Sequence, residues 1–406
     1  MEKVKKNKIL VKFMDNASKE SIKEFVQNKH CPKRLENVMN LKHSHADIFE
    51  LDDEDDIDSI VSELHNHNDV HYAQPDYVMH ACELPKIDKQ WGLENDGEED
   101  KWGNKGVKGM DIDIEDAWKI TMGSEDVVIA VIDTGTDLNH IELKDSIYKA
   151  PEGTVIDLTA IGGGIYHGDP SEWNFVNNDP EGYGSLTDAK HGTEVAAIIA
   201  ARMDRGEIVG VAPKVKLLPL KIMSKKACST SDAIEAIEYA KALGIKIANC
   251  SWGGYNENPA LMHHMQNADM LFICAGGNNG ENTDEKPFYP ACFDIPNVIS
   301  VAAVNNRGEL WMMSNYGSKI DVAAPGAGIY SAIASADDKG YDYDSGTSLA
   351  TPYVTGIAAL MFSNDRSMSA ADMKKQIIES CSPIKHLEGK VASGGLVNAF
   401  RALVKK

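Results

Sequence analysis

The sequence predicts an α/β chain, a doubly wound parallel sheet preceded by a small α+β unit. Continuous apolar, β-branched runs recur from position 127 onward, with helical stretches between several of them. Parallel strands buried on both faces have this signature. The first eighty residues instead alternate short extended and helical patterns in the order β-α-β-β-α-β, the ferredoxin-like arrangement. Between the two, 83–113 are rich in Asp, Glu, Gly and Lys and show no period, which predicts a linker and lead-in segment. The boundaries expected are therefore 1–82, 83–113 and 114–406.

In the first unit, 9–13 reads as a strand, and Ser18 opens a helical stripe of Ile22, Phe25 and Val26. Strands follow near 35–39 and at 46–51. Ile57, Ile60, Val61 and Leu64 form a second helical stripe, and 70–79 closes the set. The acidic run 52–58 suits a solvated strand end and helix start. In the second unit the buried runs lie at 127–132, 215–222, 245–250, 270–275 and 298–304, with a helix at 231–243.

Composition narrows the function. The 406 residues carry 62 acidic and 41 basic side chains, a formal charge of −21. This disfavours nucleic acid and anionic membrane surfaces, both of which need clustered Lys and Arg. No apolar run reaches the roughly 20 residues of a membrane span, and the opening lacks the apolar stretch of a signal peptide. Seven cysteines at wide spacings, with no C-x-x-C, predict a reducing compartment. A cytoplasmic location is the expectation, with leaderless export or a trimmed leader as alternatives.

Three segments carry chemistry. Asp133-Thr134-Gly135 ends a buried strand, where α/β sheets present functional groups. His191-Gly192-Thr193 precedes an apolar helix at 195–201, and Gly346-Thr347-Ser348-Leu349-Ala350-Thr351-Pro352 precedes another at 353–361. Asp, His and Ser at element junctions, in that chain order, suggest a hydrolytic triad. A serine hydroxyl needs a base: His191 suits that role, and Asp133 would fix its tautomer and stabilise the imidazolium.

These three motifs, in order, resemble those of the subtilisin-like serine proteases, the subtilases, and the resemblance runs over about 85–400. It implies a subtilisin-like catalytic domain and a serine endopeptidase with catalytic Asp133, His191 and Ser348. It implies an oxyanion hole made by the Ser348 backbone N–H and the side chain of Asn278, with Asn279 as the competing candidate. Ser251, Trp252, Gly253, Gly254, Ala275, Gly276 and Gly277 resemble the family's substrate-binding edge and S1 walls. Phe288 aligns near the pocket floor, where a ring would favour small or medium P1 residues; a plain core role is the alternative. The stretch 68–81 resembles the tail of a subtilase propeptide, which implies an inhibitor and folding-helper domain at 1–82. The cut is expected within 77–90, around Ala81, Cys82 and Glu83. The partners implied are a peptide or protein substrate and the chain's own propeptide.

The resemblance further implies a calcium site, with carboxylates from Glu142 and Asp204 and backbone carbonyls of Arg202, Gly206 and Ile208, oxygen donors suited to a hard cation. Arg202 and Arg205 bring positive charge close to it. No organic cofactor is expected, because Gly162-Gly163-Gly164 lacks the strand-to-helix context of a phosphate loop. The sequence departs from the family at Glu194, where members usually carry histidine. A carboxylate in a first helical turn is tolerable there and would perturb His191. The long stretch between Asp133 and His191 reads as a loop insert over 148–190 beside the cleft. Cys250 and Cys274 read as small buried hydrophobes. Seven of the 13 histidines (His30, His43, His45, His65, His67, His71, His80) lie in the first unit. They read as a polar, solvated surface, with a pH-triggered release of the propeptide as the alternative. No single regular element aligns His65, His67 and His71 for a metal. Two further readings stay open: a dedicated maturation protease for one leader peptide, and a catalytically silent peptide-binding pseudoprotease.

Overall fold

A computed structural model describes residues 4–14, 17, 36–41, 46–50, 57–77, 87–151, 153–161, 163–167, 172–180, 184–224 and 227–404. They fall into two compact units, Met1–Glu83 and Leu84–Lys406.

The first unit contains β1 (Val4–Phe13), β2 (Glu36–Leu41), β3 (Ala46–Glu50), α1 (Ile57–His65) and β4 (Val70–Tyr77). The sheet order is β2-β3-β1-β4 and every pairing is antiparallel. Ile9, Val11 and Phe13 alternate on one face of β1 and bury against Phe49, Ile60, Leu64 and Val70. Period-2 and helical apolar patterns thus meet in one small core. The helix expected after Ser18 and the cut region Ala81–Glu83 lie outside the described residues.

In chain order the second unit contains α2 (Ile114–Trp118), β5 (Val128–Asp133), β6 (Val155–Asp157), β7 (Ile165–His167), β8 (Trp173–Asn174), α3 (Leu186–Ala200), β9 (Lys216–Lys221), β10 (Met223–Ser224), β11 (Ala227–Cys228) and α4 (Thr230–Ala242). There follow β12 (Ile247–Cys250), α5 (Pro259–Gln266), β13 (Leu271–Ala275), β14 (Val298–Val304), β15 (Val322–Pro325), β16 (Ile329–Ile333), β17 (Gly340–Asp344), α6 (Thr347–Asn364), α7 (Ala370–Ser380), β18 (Ser382–Pro383), β19 (Gly395–Leu396) and α8 (Ala399–Val404). Nine strands make one sheet in the order β18-β19-β15-β14-β13-β12-β5-β9-β8. Pairings from β15 through β8 are parallel.

The sheet separates two cores. Ile129 and Val131 of β5 enter one of them, while Ala130 and Ile132 enter the other. This is why the strand reads as an unbroken apolar run. The chain leaves β5 for β8 and then β9 on one side and returns to β12 on the other, so β5 is the topological switch point. Ligand crevices of open α/β sheets form outside the carboxyl ends of strands at that point, and Asp133 ends β5.

Three sequence expectations need correction. Residues 87–113 are not a free linker: Trp91, Leu93 and Ile112 are buried in the second unit's core. Gln90 exchanges two hydrogen bonds with the Val209 backbone, both 2.9 Å. Polar composition masked these few anchors. The stretch 148–190 is more than a loop insert. It carries the β6–β7 hairpin, and β8 joins the sheet edge. Ile156, Leu158, Tyr166, Trp173 and Phe175 pack with Tyr239 in the second core. Finally, the helix bearing His191 begins at Leu186, capped by Ser185 Oγ accepting from the Asp188 N–H at 3.2 Å. Glu194 therefore sits in mid-helix, and no first-turn dipole accommodates its charge.

Candidate active site

The Asp133 and His191 motifs meet through glycine. A Cβ on Gly192 would lie 2.0 Å from the Gly135 carbonyl oxygen, and Gly135 adopts φ +101°. Only a residue without a side chain at 192 lets these two backbones touch, and the positive φ of Gly135 likewise favours glycine. Thr134 Oγ1 accepts from the Gly192 N–H at 3.0 Å, and Thr193 Oγ1 from the Asp137 N–H at 2.9 Å. Within this frame His191 Nδ1 donates to Asp133 Oδ1 at 2.7 Å. The Thr134 N–H donates to the same oxygen at 2.7 Å. Asp133 is fully buried, whereas the imidazole is 32% exposed. Burial pulls the imidazole's pKa down. The charge and hydrogen bond of Asp133, then the carboxylates of Glu194 and Asp344, outweigh that and carry it up to about 8.

Ser348 stands in the first turn of α6, where backbone N–H groups lack intrahelical acceptors. Asn278 faces it. Its Oδ1 accepts from the Thr347 N–H and hydroxyl, both at 2.8 Å, which turns its amide nitrogen toward the cleft. A Cβ built on Gly346 would be 3.0 Å from Ser348 Oγ and 3.3 Å from Asn278 Nδ2, so nucleophile and donor flank one point. Asn279 points elsewhere, accepting from the Tyr255 hydroxyl at 2.9 Å.

His191, Ser348 and Asn278 share a cleft of about 770 Å³ with Ser251, Trp252, Gly253, Gly254, Ala275, Gly277 and Phe288. Gly276 is not among its lining residues; its α-carbon faces the Val301 carbonyl on the sheet side. Trp252 is mainly a core residue, 9% exposed, with its indole N–H donating to the Ile132 carbonyl at 2.9 Å. Phe288 is half-buried. Its ring would meet a Cβ on Gly253 at 2.4 Å and one on Gly277 at 3.1 Å. It therefore fills the space between the two glycine-lined walls, with Tyr255 edge-on at 5.1 Å.

Sequence reasoning missed one group and misjudged the setting of another. Lys221, paired in register with Asp133, is 2% exposed and donates to the carbonyls of Thr134 and Met223 at 2.5 and 2.8 Å. Burial pushes its pKa down, against the pull of Asp188 and Asp133. A lysine closing the apolar run 217–220 was the available signal. Glu194, which the sequence did flag, is 2% exposed, with Lys190 Nζ 3.7 Å away. Burial first, then the Asp344 carboxylate, pushes its pKa up to about 7. A partly neutral side chain is what makes it tolerable in mid-helix.

At the loop matched to calcium, Glu142 is fully buried. Its Oε1 accepts from the N–H groups of Glu207 (2.6 Å) and Ile208 (3.0 Å) and the Tyr341 hydroxyl (2.7 Å). Its Oε2 has no partner. Arg202 and Arg205 are drawn aside by Glu125 at 3.3 Å and Asp145 at 2.8 Å. An orphaned buried carboxylate oxygen, with the nearby positive charges neutralised, fits an oxygen-seeking cation. Asp204 is exposed at the loop's outer rim. Among the described residues, no group of three or more His, Cys, Asp or Glu side chains is arranged to hold a metal, so most donors here would be backbone oxygens. No described helix is long and apolar enough to cross a membrane.

The model of the subtilase family, peptidase S8, matches residues 124–400. The chain belongs to the subtilase family. A thermophilic serine proteinase of Bacillus sp. (strain AK1) is 31% identical over 352 residues, 86% of this chain and 76% of that protein. Thermitase of Thermoactinomyces vulgaris is 33% identical over 295 residues, 71% of this chain and 91% of its own length. Among solved structures, the prenylagaramide maturation protease PagA aligns with a TM-score of 0.55 at 26% identity, over 71% of this chain and 96% of that one. Like these relatives, this subtilase is a subtilisin-like serine protease.

Proposed function

We propose that this subtilase is a serine endopeptidase made as a zymogen, which cuts its own propeptide and then hydrolyses other peptide bonds through an acyl-enzyme. The observation that carries the reading is the 2.7 Å Asp133–His191 hydrogen bond, in one cleft with Ser348 and Asn278. His191 takes the Ser348 proton as the hydroxyl attacks the scissile carbonyl, then gives it to the leaving amine. Asp133 holds Nδ1 protonated, so Nε2 is the free base. The oxyanion is met by the Asn278 amide and the Ser348 N–H, donors held in place before reaction. A donor of this kind is worth about 3–4 kcal/mol in the transition state. Phe288 shortens S1, so small or medium P1 residues are favoured.

The 1–82 unit acts as the cleft-bound inhibitor, cut around Ala81–Glu83. Its ferredoxin-like strand order supports this reading. Glu142 and the carbonyls of Arg202, Gly206 and Ile208, with Asp204 at the rim, would hold a calcium ion that would stabilise the fold without entering the chemistry. The location proposed is cytoplasmic, supported by the free state of Cys228, Cys250, Cys274, Cys292 and Cys381. A maturation protease is the second reading, favoured by the likeness to PagA. A fluorophosphonate probe tests the chemistry: it should label Ser348 in the mature chain and fail in His191→Ala. Equal labelling of both would remove His191 as the base.

A further inference from the structure

The cleft has an uneven charge. Among the described residues its walls are neutral apart from the ionisable His191, Cys228 and Tyr289 and a single carboxylate, Asp344, and no described lysine or arginine lines it. Asp344 is the last residue of β17, four positions before Ser348, and it is exposed. Its Oδ1 accepts from the Ser345 N–H at 2.7 Å. Pairing with Ile329 of β16 fixes its backbone, so its place is set. No described salt bridge reaches it. The nearby Lys190 is committed to Glu194 at 3.7 Å and Asp342 at 3.3 Å.

We propose that Asp344 is a specificity-determining residue, selecting substrates that carry lysine or arginine beside the scissile bond. The proposal rests on the protease reading and deepens it by naming a substrate class. A fixed, solvent-reached carboxylate next to the reacting groups attracts a cationic side chain and repels an acidic one. The gain over a neutral residue is modest, because the pair stays hydrated, but the two signs act in opposite directions. The chain's net charge of −21 adds a long-range bias toward basic peptides, which salt screens. Asp344 adds the local, position-specific part.

The test uses quenched-fluorescence peptides with Lys, Gln or Glu placed in turn at each position flanking a small P1 residue. The mature wild type, Asp344→Asn and Asp344→Lys are compared at low and physiological salt. At one flanking position the wild type should favour Lys over Glu by about fivefold or more in kcat/KM. The ratio should fall toward one in Asp344→Asn and invert in Asp344→Lys. Using a ratio removes the effect Asp344 has on His191 itself. Binding of the same peptides to Ser348→Ala, read by fluorescence anisotropy, gives the preference without turnover. Cleavage of no peptide by the wild type would count against the protease reading while this binding still reports on Asp344. A Lys preference unchanged in both Asp344 variants, or absent from the wild type, overturns the proposal.

Discussion

Ser251 donates its hydroxyl to the main-chain carbonyl of Ser348 at 2.8 Å. In a regular helix that carbonyl would receive the N–H of residue 352, but Pro352, inside α6, has none. The Thr-Ser-Leu-Ala-Thr-Pro motif thus leaves one acceptor open beneath the nucleophile. The substrate-edge segment closes it, and Asn249 Nδ2 supports Ser251 Oγ from behind at 2.9 Å.

Ser251→Ala should therefore lower kcat more than it raises KM and cost about 1–2 kcal/mol of stability, the penalty of an unpaired buried carbonyl. Adding Pro352→Ala restores an N–H donor to the same oxygen. Thermal melts of the single and double variants check this. A double variant no more stable than Ser251→Ala would contradict it.

Glu194→Gln should shift the pH profile. His191 must be neutral to act as base, so kcat/KM should rise through about pH 8. Removing the Glu194 charge, which supports the imidazolium, moves that midpoint down. Stability follows the opposite logic to an ordinary salt-bridged carboxylate. The folded pKa of about 7 lies above the ordinary 4.5, so the folded state holds more protons and stability falls as pH rises from 4.5 to 7. The glutamine variant should gain on the order of 2 kcal/mol at pH 8 and nothing at pH 4. Pre-steady-state or kcat/KM titration and melts at both pH values would detect a midpoint that does not move.

Phe288→Ala should open the pocket between Gly253 and Gly277. Activity on a P1 phenylalanine or leucine peptide should rise relative to P1 alanine, by roughly tenfold for the added apolar contact. An unchanged P1 ranking would return Phe288 to a plain core role.

Calcium removal should lower the melting temperature. A ligand at 100 times its Kd stabilises by about 2.7 kcal/mol. Melts with EDTA and with added calcium should differ for the wild type, less for Asp204→Asn, and not at all for Glu142→Gln. Coincident curves for the wild type would argue that Glu142 serves only its three protein donors.

The sequence made the chemistry legible because the chemistry restricts residue types. Gly192 must lack a side chain to touch Gly135, and the acid and the hydroxyl must stand at element ends. The alternation of β5 between two cores likewise leaves an unmistakable apolar run. What stayed hidden depended on partners distant in the chain. Trp91 and Leu93 sit in a polar stretch whose few apolar anchors find their pocket only in the folded unit. The β6–β7 hairpin is three residues a side, too short to show a period. The burial of Lys221 follows from pairing opposite Asp133, and the isolation of Asp344 from a cleft assembled from many segments. The start of α3 was readable from Ser185 and Asp188, a cap overshadowed by the motif that follows it.

The most direct test follows the intact mass of the purified full chain and its Ser348→Ala variant over time. The account predicts that the wild type splits once within 77–90 to release the 1–82 unit, while the variant stays whole. A wild type that stays whole, or a variant that splits at the same bond, would contradict a self-processing serine protease built on Asp133, His191 and Ser348.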